Sequence, residues 1–119
     1  MTDDRKRELD GIPAAEALDL AGLAEYAEGS VVSRTIAQND AGAVTLFAFD
    51  SGQGLSEHSA PFDAIVQVLD GEAELVIGGK PVRAAAGSLV VMPANVPHAV
   101  NAVRRFKMLL VMLRAGKSD

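Results

Sequence analysis

The chain has 119 residues, 49% of them apolar, with no cysteine and a formal net charge of −5. That length holds one domain around one core, and without cysteine neither a disulfide framework nor a thiolate metal site can form. The acidic balance argues against nucleic acid as a partner. No apolar run approaches the ~20 residues of a membrane helix, and the charged start MTDDRKRELDG carries no secretory apolar core, so a cytoplasmic protein with no membrane partner is expected.

In chain order, residues 1–12 read as a disordered tail, with Arg5, Lys6 and Arg7 as solvated charge. PAAEALDLAGLAEYAEG (13–29) reads as a short N-terminal helical segment. Pro13 suits a first helical position and Gly29 a stop. Gly22 weakens the middle, which narrows the helix to about residues 19–27. From Ser30 to residue 115 the texture is that of β-structure. SVVSRTIA (30–37) is β-branched and runs into the turn cluster QNDAG. AVTLFAFD (43–50) is apolar on both faces, as in a strand covered on both sides. SGQG (51–54) reads as a loop, and it lacks the lysine and the following helix of a phosphate-binding loop. DAIVQVLDGEAELVIGGKPVRA (63–84) holds two pairs that tolerate positive φ, Asp70-Gly71 and Gly78-Gly79, and both read as hairpin turns. GSLVVMP (87–93), PHAVNAV (97–103) and RFKMLLVMLR (105–114) complete the run. Many short strands with regular turns mean an all-β barrel or sandwich. The stretch from Phe106 to Leu113 is apolar on both faces, an excess that a second subunit would cover, so a homodimer is expected.

The chain has two histidines. His98 lies in GSLVVMPANVPHAV, where Gly87, Pro93, Asn95 and His98 follow the spacing Gly, five residues, Pro, one residue, Gly or Asn, two residues, His. His58 lies in GLSEHSAPFDAIVQVLDG, which ends in Gly71. Asn95 stands where a tight turn favours a residue that tolerates the left-handed region, and Pro93 and Pro97 stiffen the turn that delivers His98. In these two segments the chain resembles the cupin family, over about residues 43–113, and most of all its short single-domain bacterial members. The resemblance implies an all-β double-stranded β-helix jelly-roll barrel, here with a short N-terminal helix before it. It also implies that His58 and His98 meet at the barrel mouth.

The family's metal pattern has four ligands: His-x-His, a carboxylate or histidine, and the late histidine. Here Ala60 and Ala64 stand at the second and third positions, leaving His58 and His98. Usual iron and catalytic zinc sites take three protein ligands. A divalent transition metal (Zn, Ni, Cu, Fe or Mn) on His58 and His98 therefore needs waters or a rescue ligand. Asp63 and Glu57 are the candidates, each one residue away from an inward position and so in need of a bulge. Gln67 lies between Val66 and Val68, which should face inward; it is a candidate ligand contact or a hydrogen-bonding residue at a subunit contact. Phe62, after Pro61 at a bend, is a candidate ligand contact. Met92, Met108 and Met112 read as core packing, with a soft-metal or ligand-facing surface as the alternative.

Three functional readings stay open. One is a metal-dependent enzyme of the dioxygenase or isomerase type, as the resemblance implies. A second is a metal-free module that binds a small molecule in the barrel, with the two histidines orienting a polar or anionic group. The third is a structural or interaction protein with a vestigial pocket. No Ser-His-Asp arrangement is legible, and fold alone does not choose among the three.

Overall fold

A computed structural model describes residues 11–115; of the expected tail, residues 1–10 lie outside the described residues. Among the described residues, nine strands follow a 3-10 turn, Leu20–Leu23. They are β1 (Val31–Asn39), β2 (Gly42–Phe49), β3 (Gly54–His58), β4 (Phe62–Asp70), β5 (Glu72–Ile77), β6 (Lys80–Ala85), β7 (Leu89–Met92), β8 (His98–Ala102) and β9 (Phe106–Arg114). Two antiparallel sheets face each other. One has the order β1-β2-β9-β4-β7, the other β3-β8-β5-β6. This is the jelly-roll architecture expected of the β region.

The inward faces show the period of two that strands impose. Along β4, Ala64, Val66 and Val68 are buried while Asp63 and Gln67 are exposed. Phe49, Phe106, Leu75 and Met108 are fully buried between the sheets, and the Phe49 and Phe106 rings stack with centroids 4.7 Å apart. β2 is apolar on both faces because both are covered. Phe47 and Phe49 belong to the core between the sheets. Leu46 and Ala48 pack on the other side against Leu23, Ala24 and Tyr26 of the N-terminal segment.

That segment is not the helix expected over residues 19–27. It makes one 3-10 turn, whose flanking residues Asp19 and Ala24 are in β geometry, and is irregular beyond it. Its order comes from docking rather than from internal hydrogen bonds. Lys107 Nζ donates to the Ala21 carbonyl at 2.6 Å, and Tyr26 donates to Asp70 at 2.5 Å. The Tyr26 ring lies beneath the Lys107 ammonium and the Arg105 guanidinium. Burial and the Asp70 carboxylate push the Tyr26 hydroxyl well above the usual range for a phenol. At the end of the segment, Asp50 accepts from the Gly29 amide at 2.7 Å and from Arg105 at 2.8 Å. The Arg105 bond first, then the Gly29 and Ser51 amides, hold its carboxyl at about 2.

Asp70-Gly71 is not a hairpin turn either. β4 pairs with β7 and β9, whereas β5 pairs with β6 and β8, so the chain changes sheets at Gly71. A glycine after an aspartate reports tolerance of positive φ, here +75°, and not which sheet comes next. Gly78-Gly79 does close a hairpin, between β5 and β6. SGQG, expected to be wholly loop, gives its last residue to β3. Among the described residues no helix is long and apolar enough to cross a membrane.

Candidate functional site

His58 ends β3 and His98 begins β8, and the two are register partners across that strand pair. Their rings meet edge to face with centroids 4.5 Å apart. The turn that delivers His98 is fixed from several sides. Asn95 takes a φ of +65°, as its place in the motif requires, and its amide donates to the Ala60 carbonyl at 2.8 Å. The Ala94 amide donates to Asp63 Oδ1 at 2.9 Å. Gly78 N–H donates to the Pro97 carbonyl at 2.8 Å.

Each histidine is tied to the main chain two residues before it, His58 within β3 and His98 to the turn that precedes β8. Nδ1 of His58 bonds the Ser56 carbonyl at 2.9 Å, and Nδ1 of His98 the Val96 carbonyl at 3.2 Å. A carbonyl only accepts, so both bonds place the proton on Nδ1 and leave the Nε2 lone pair free in the neutral ring. No buried side-chain nitrogen or oxygen among the described residues lacks a partner. Nε2 of His98 has no protein hydrogen bond among the described residues and so keeps some accessibility although the residue is only 8% exposed, and the residue lines the cavity below.

The cavity beneath the pair is apolar. β4 contributes Phe62 and Ala64, β7 Met92, β8 Val100, and β9 Met108, Leu110 and Met112, with Leu55 and Ala60 at the mouth. The alternation along β9 places every second side chain in this wall. The free volume is about 40 Å³, room for roughly two or three waters. Phe62 and Met112 also border an open vestibule of about 380 Å³, lined further by the β1–β2 turn and Arg114. The Arg114 guanidinium lies 5.4 Å over the Phe62 ring.

The structure thus brings together His58, His98 and Phe62. It does not bring Gln67, which is exposed on the outer face of β4 because Val66 and Val68 take the inward positions. Asp63 and Glu57 are likewise exposed, and Asp63 is engaged in holding the Ala94 turn. Among the described residues no group of three or more His, Asp or Glu side chains could hold a metal. The donors present therefore do not fit the three-ligand zinc or iron centre. What the sequence left open is the cavity wall, where Met92, Met108 and Met112 read as core with a ligand-facing surface as the alternative, and Leu55, Val100 and Leu110 were not assigned at all. The three methionines serve as core and lining at once, a role set by cross-strand register that no local pattern carries.

The Cupin domain family model matches residues 45–112. Comparison with curated proteins gives no match. Among solved structures, a conserved protein of unknown function from Streptococcus pyogenes is 38% identical with a TM-score of 0.87, over 93% of this chain and 97% of that one. A cupin superfamily protein from Desulfitobacterium hafniense is 32% identical with a TM-score of 0.83, over 90% of this chain and 98% of that one. A cupin 2 conserved barrel domain protein from Leptotrichia buccalis is 41% identical with a TM-score of 0.79, over 81% of this chain and 47% of that one. With its jelly roll, its paired mouth histidines and these relatives, the chain belongs to the cupin family.

Proposed function

We propose that the barrel is a binding pocket for a small molecule. Its polar head, carrying an O–H or N–H donor, is held by the free Nε2 lone pairs of His58 and His98, or an anionic head by the same nitrogens when they carry a proton, and its apolar body by Phe62 and the cavity wall. The paired imidazoles carry this reading: both Nδ1 atoms are committed to main-chain carbonyls, so both Nε2 atoms are left for a ligand at the mouth of an apolar cavity. The narrow interior means that the body lies partly in the vestibule, with Phe62 and the flexible methionines adjusting to it. Metal-dependent catalysis has less support, because the ligand set stops at two.

The test is a thermal-shift screen of chelator-treated protein against small organic acids and aromatic metabolites. A true ligand at a hundred times its Kd adds about 2.7 kcal/mol, a rise of several degrees. His58→Ala with His98→Ala should weaken that ligand at least tenfold. The small free volume also favours the vestigial-pocket reading, and the same double variant separates the two. A vestigial pocket finds no ligand and loses no stability when both histidines go.

The partner we propose is a second copy of the chain. On the outer face of the five-stranded sheet, Leu89 and Val91 on the edge strand β7 are 62% and 54% exposed, and Leu113 on β9 is 49% exposed. Val91, Ile65 and Val111 form one cross-strand row, and Gln67 lies beside Leu89 in the next. Part of the β9 excess is covered by the chain itself, since Leu109 packs under the N-terminal segment; Val111 and Leu113 on the same face support a self-complementary contact. Sedimentation should show a dimer that Val91→Asp converts to monomer, and a monomeric parent would refute this contact.

A further inference from the structure

Ala64 has two register partners, Met92 on β7 and Met112 on β9. Directly opposed side chains on one face of a sheet stand about 5 Å apart at Cβ, so the inner wall carries a row of thioether, methyl, thioether. All three residues line the same cavity as His58 and His98. The groups lining it that can ligate a metal are therefore imidazole nitrogens, which bind metal as the uncharged ring, and thioether sulfurs, which carry no charge. The nearby carboxylates of Glu57 and Asp63 are exposed instead.

Such a set is poor for a divalent ion, whose charge it leaves uncompensated. It suits a soft monovalent ion, which needs few ligands and prefers sulfur and imidazole. We infer that the barrel mouth is a binding site for a soft monovalent metal ion, Cu(I), held by Nε2 of His58 and His98 together with the thioethers of Met92 and Met112. A free volume of about 40 Å³ is of a size for an ion. The methionine side chain has the rotational freedom to bring its sulfur to such an ion. The site goes beyond the small-molecule reading and does not depend on it.

The probe is Ag(I), a redox-inert soft monovalent ion, titrated in chloride-free buffer into the full-length, chelator-treated chain labelled with ¹³C at the methionine methyls. One equivalent should bind and shift the methyl resonances of Met92 and Met112, and the same amount of Zn(II) should leave them in place. The chain has four methionines, so the Met1 methyl is an internal control. Met92→Leu with Met112→Leu keeps side-chain volume and hence the fold, as circular dichroism would check, and should weaken Ag(I) at least tenfold. His58→Ala with His98→Ala should do the same. Anaerobic Cu(I), in competition with a chromogenic chelator, should follow the same order of variants. Unchanged affinity in the methionine double variant, shifts confined to Met1, tighter binding of Zn(II), or no binding of Ag(I) would each overturn the inference. An organic ligand that stabilises the metal-free protein, with no Ag(I) bound, would leave the small-molecule reading standing and remove this one alone.

Discussion

Gly71→Ala is expected to cost about 3–5 kcal/mol, enough to leave a domain of this size largely unfolded. Two effects add. The φ of Gly71 is +75°, a conformation that penalises a Cβ by roughly 1–2 kcal/mol. An added Cβ would also sit 1.8 Å from the Arg105 carbonyl oxygen and 2.8 Å from Phe106 Cα. Those are backbone atoms, which cannot rotate aside, so the crossing between sheets must open where Phe106 enters the core. Gly79→Ala is the control. Its φ is +81°, but nothing lies within 4 Å of its new Cβ, so only the conformational part, roughly 1–2 kcal/mol, is expected. Urea unfolding of the two variants separates strain from collision. Equal losses would mean that the close approach at Gly71 is not what its glycine serves.

The same residue marks where sequence reading reached and where it stopped. Positive φ was legible at Gly71, Gly78 and Asn95, because local chemistry sets it. Whether a turn joins partners in one sheet or carries the chain to another depends on pairings far along the chain. Two such pairings, β4 with β9 and β5 with β8, decide that Asp70-Gly71 is a crossing. β3 escaped notice because Gly54–His58 is short, mostly exposed and without apolar alternation; it is a strand by virtue of β8 beside it. The N-terminal segment has helical composition, yet a short stretch interrupted by glycine gains little from its own hydrogen bonds. Docking Leu23, Ala24 and Tyr26 on β2 decides its shape. At the site, the motif spacing carried the pairing of His58 with His98, because a turn and a register are built into it. The methionines were legible as core, with a soft-metal or ligand-facing surface as the alternative, but their alignment in a row was not. Residues 64, 92 and 112 become neighbours only when β7, β4 and β9 align.

Ala64→Glu is expected to convert the mouth from a soft, uncharged donor set into a hard, charged one, raising affinity for Zn(II) or Mn(II) at least a hundredfold over the parent. Ala64 is buried and faces the cavity that holds both histidines. A carboxylate there would complete two imidazoles and one carboxylate around open positions, the arrangement that holds non-haem iron and related divalent ions. The negative charge supplies the compensation that the parent donors lack. Without metal the variant should be less stable by a few kcal/mol, since the new group enters an apolar wall and crowds Met92 and Met112. With metal that loss should be recovered, because an ion that binds only the folded chain stabilises it by mass action. Melting with and without chelator, beside direct titration, reads both effects. If the variant binds divalent ions no better than the parent, then His58 and His98 do not present their Nε2 atoms to the same point. The shared focus on which the proposed binding rests would then be lost. If it binds them tightly while Ag(I) weakens, the selectivity of this barrel is set by what stands at position 64 between two methionines.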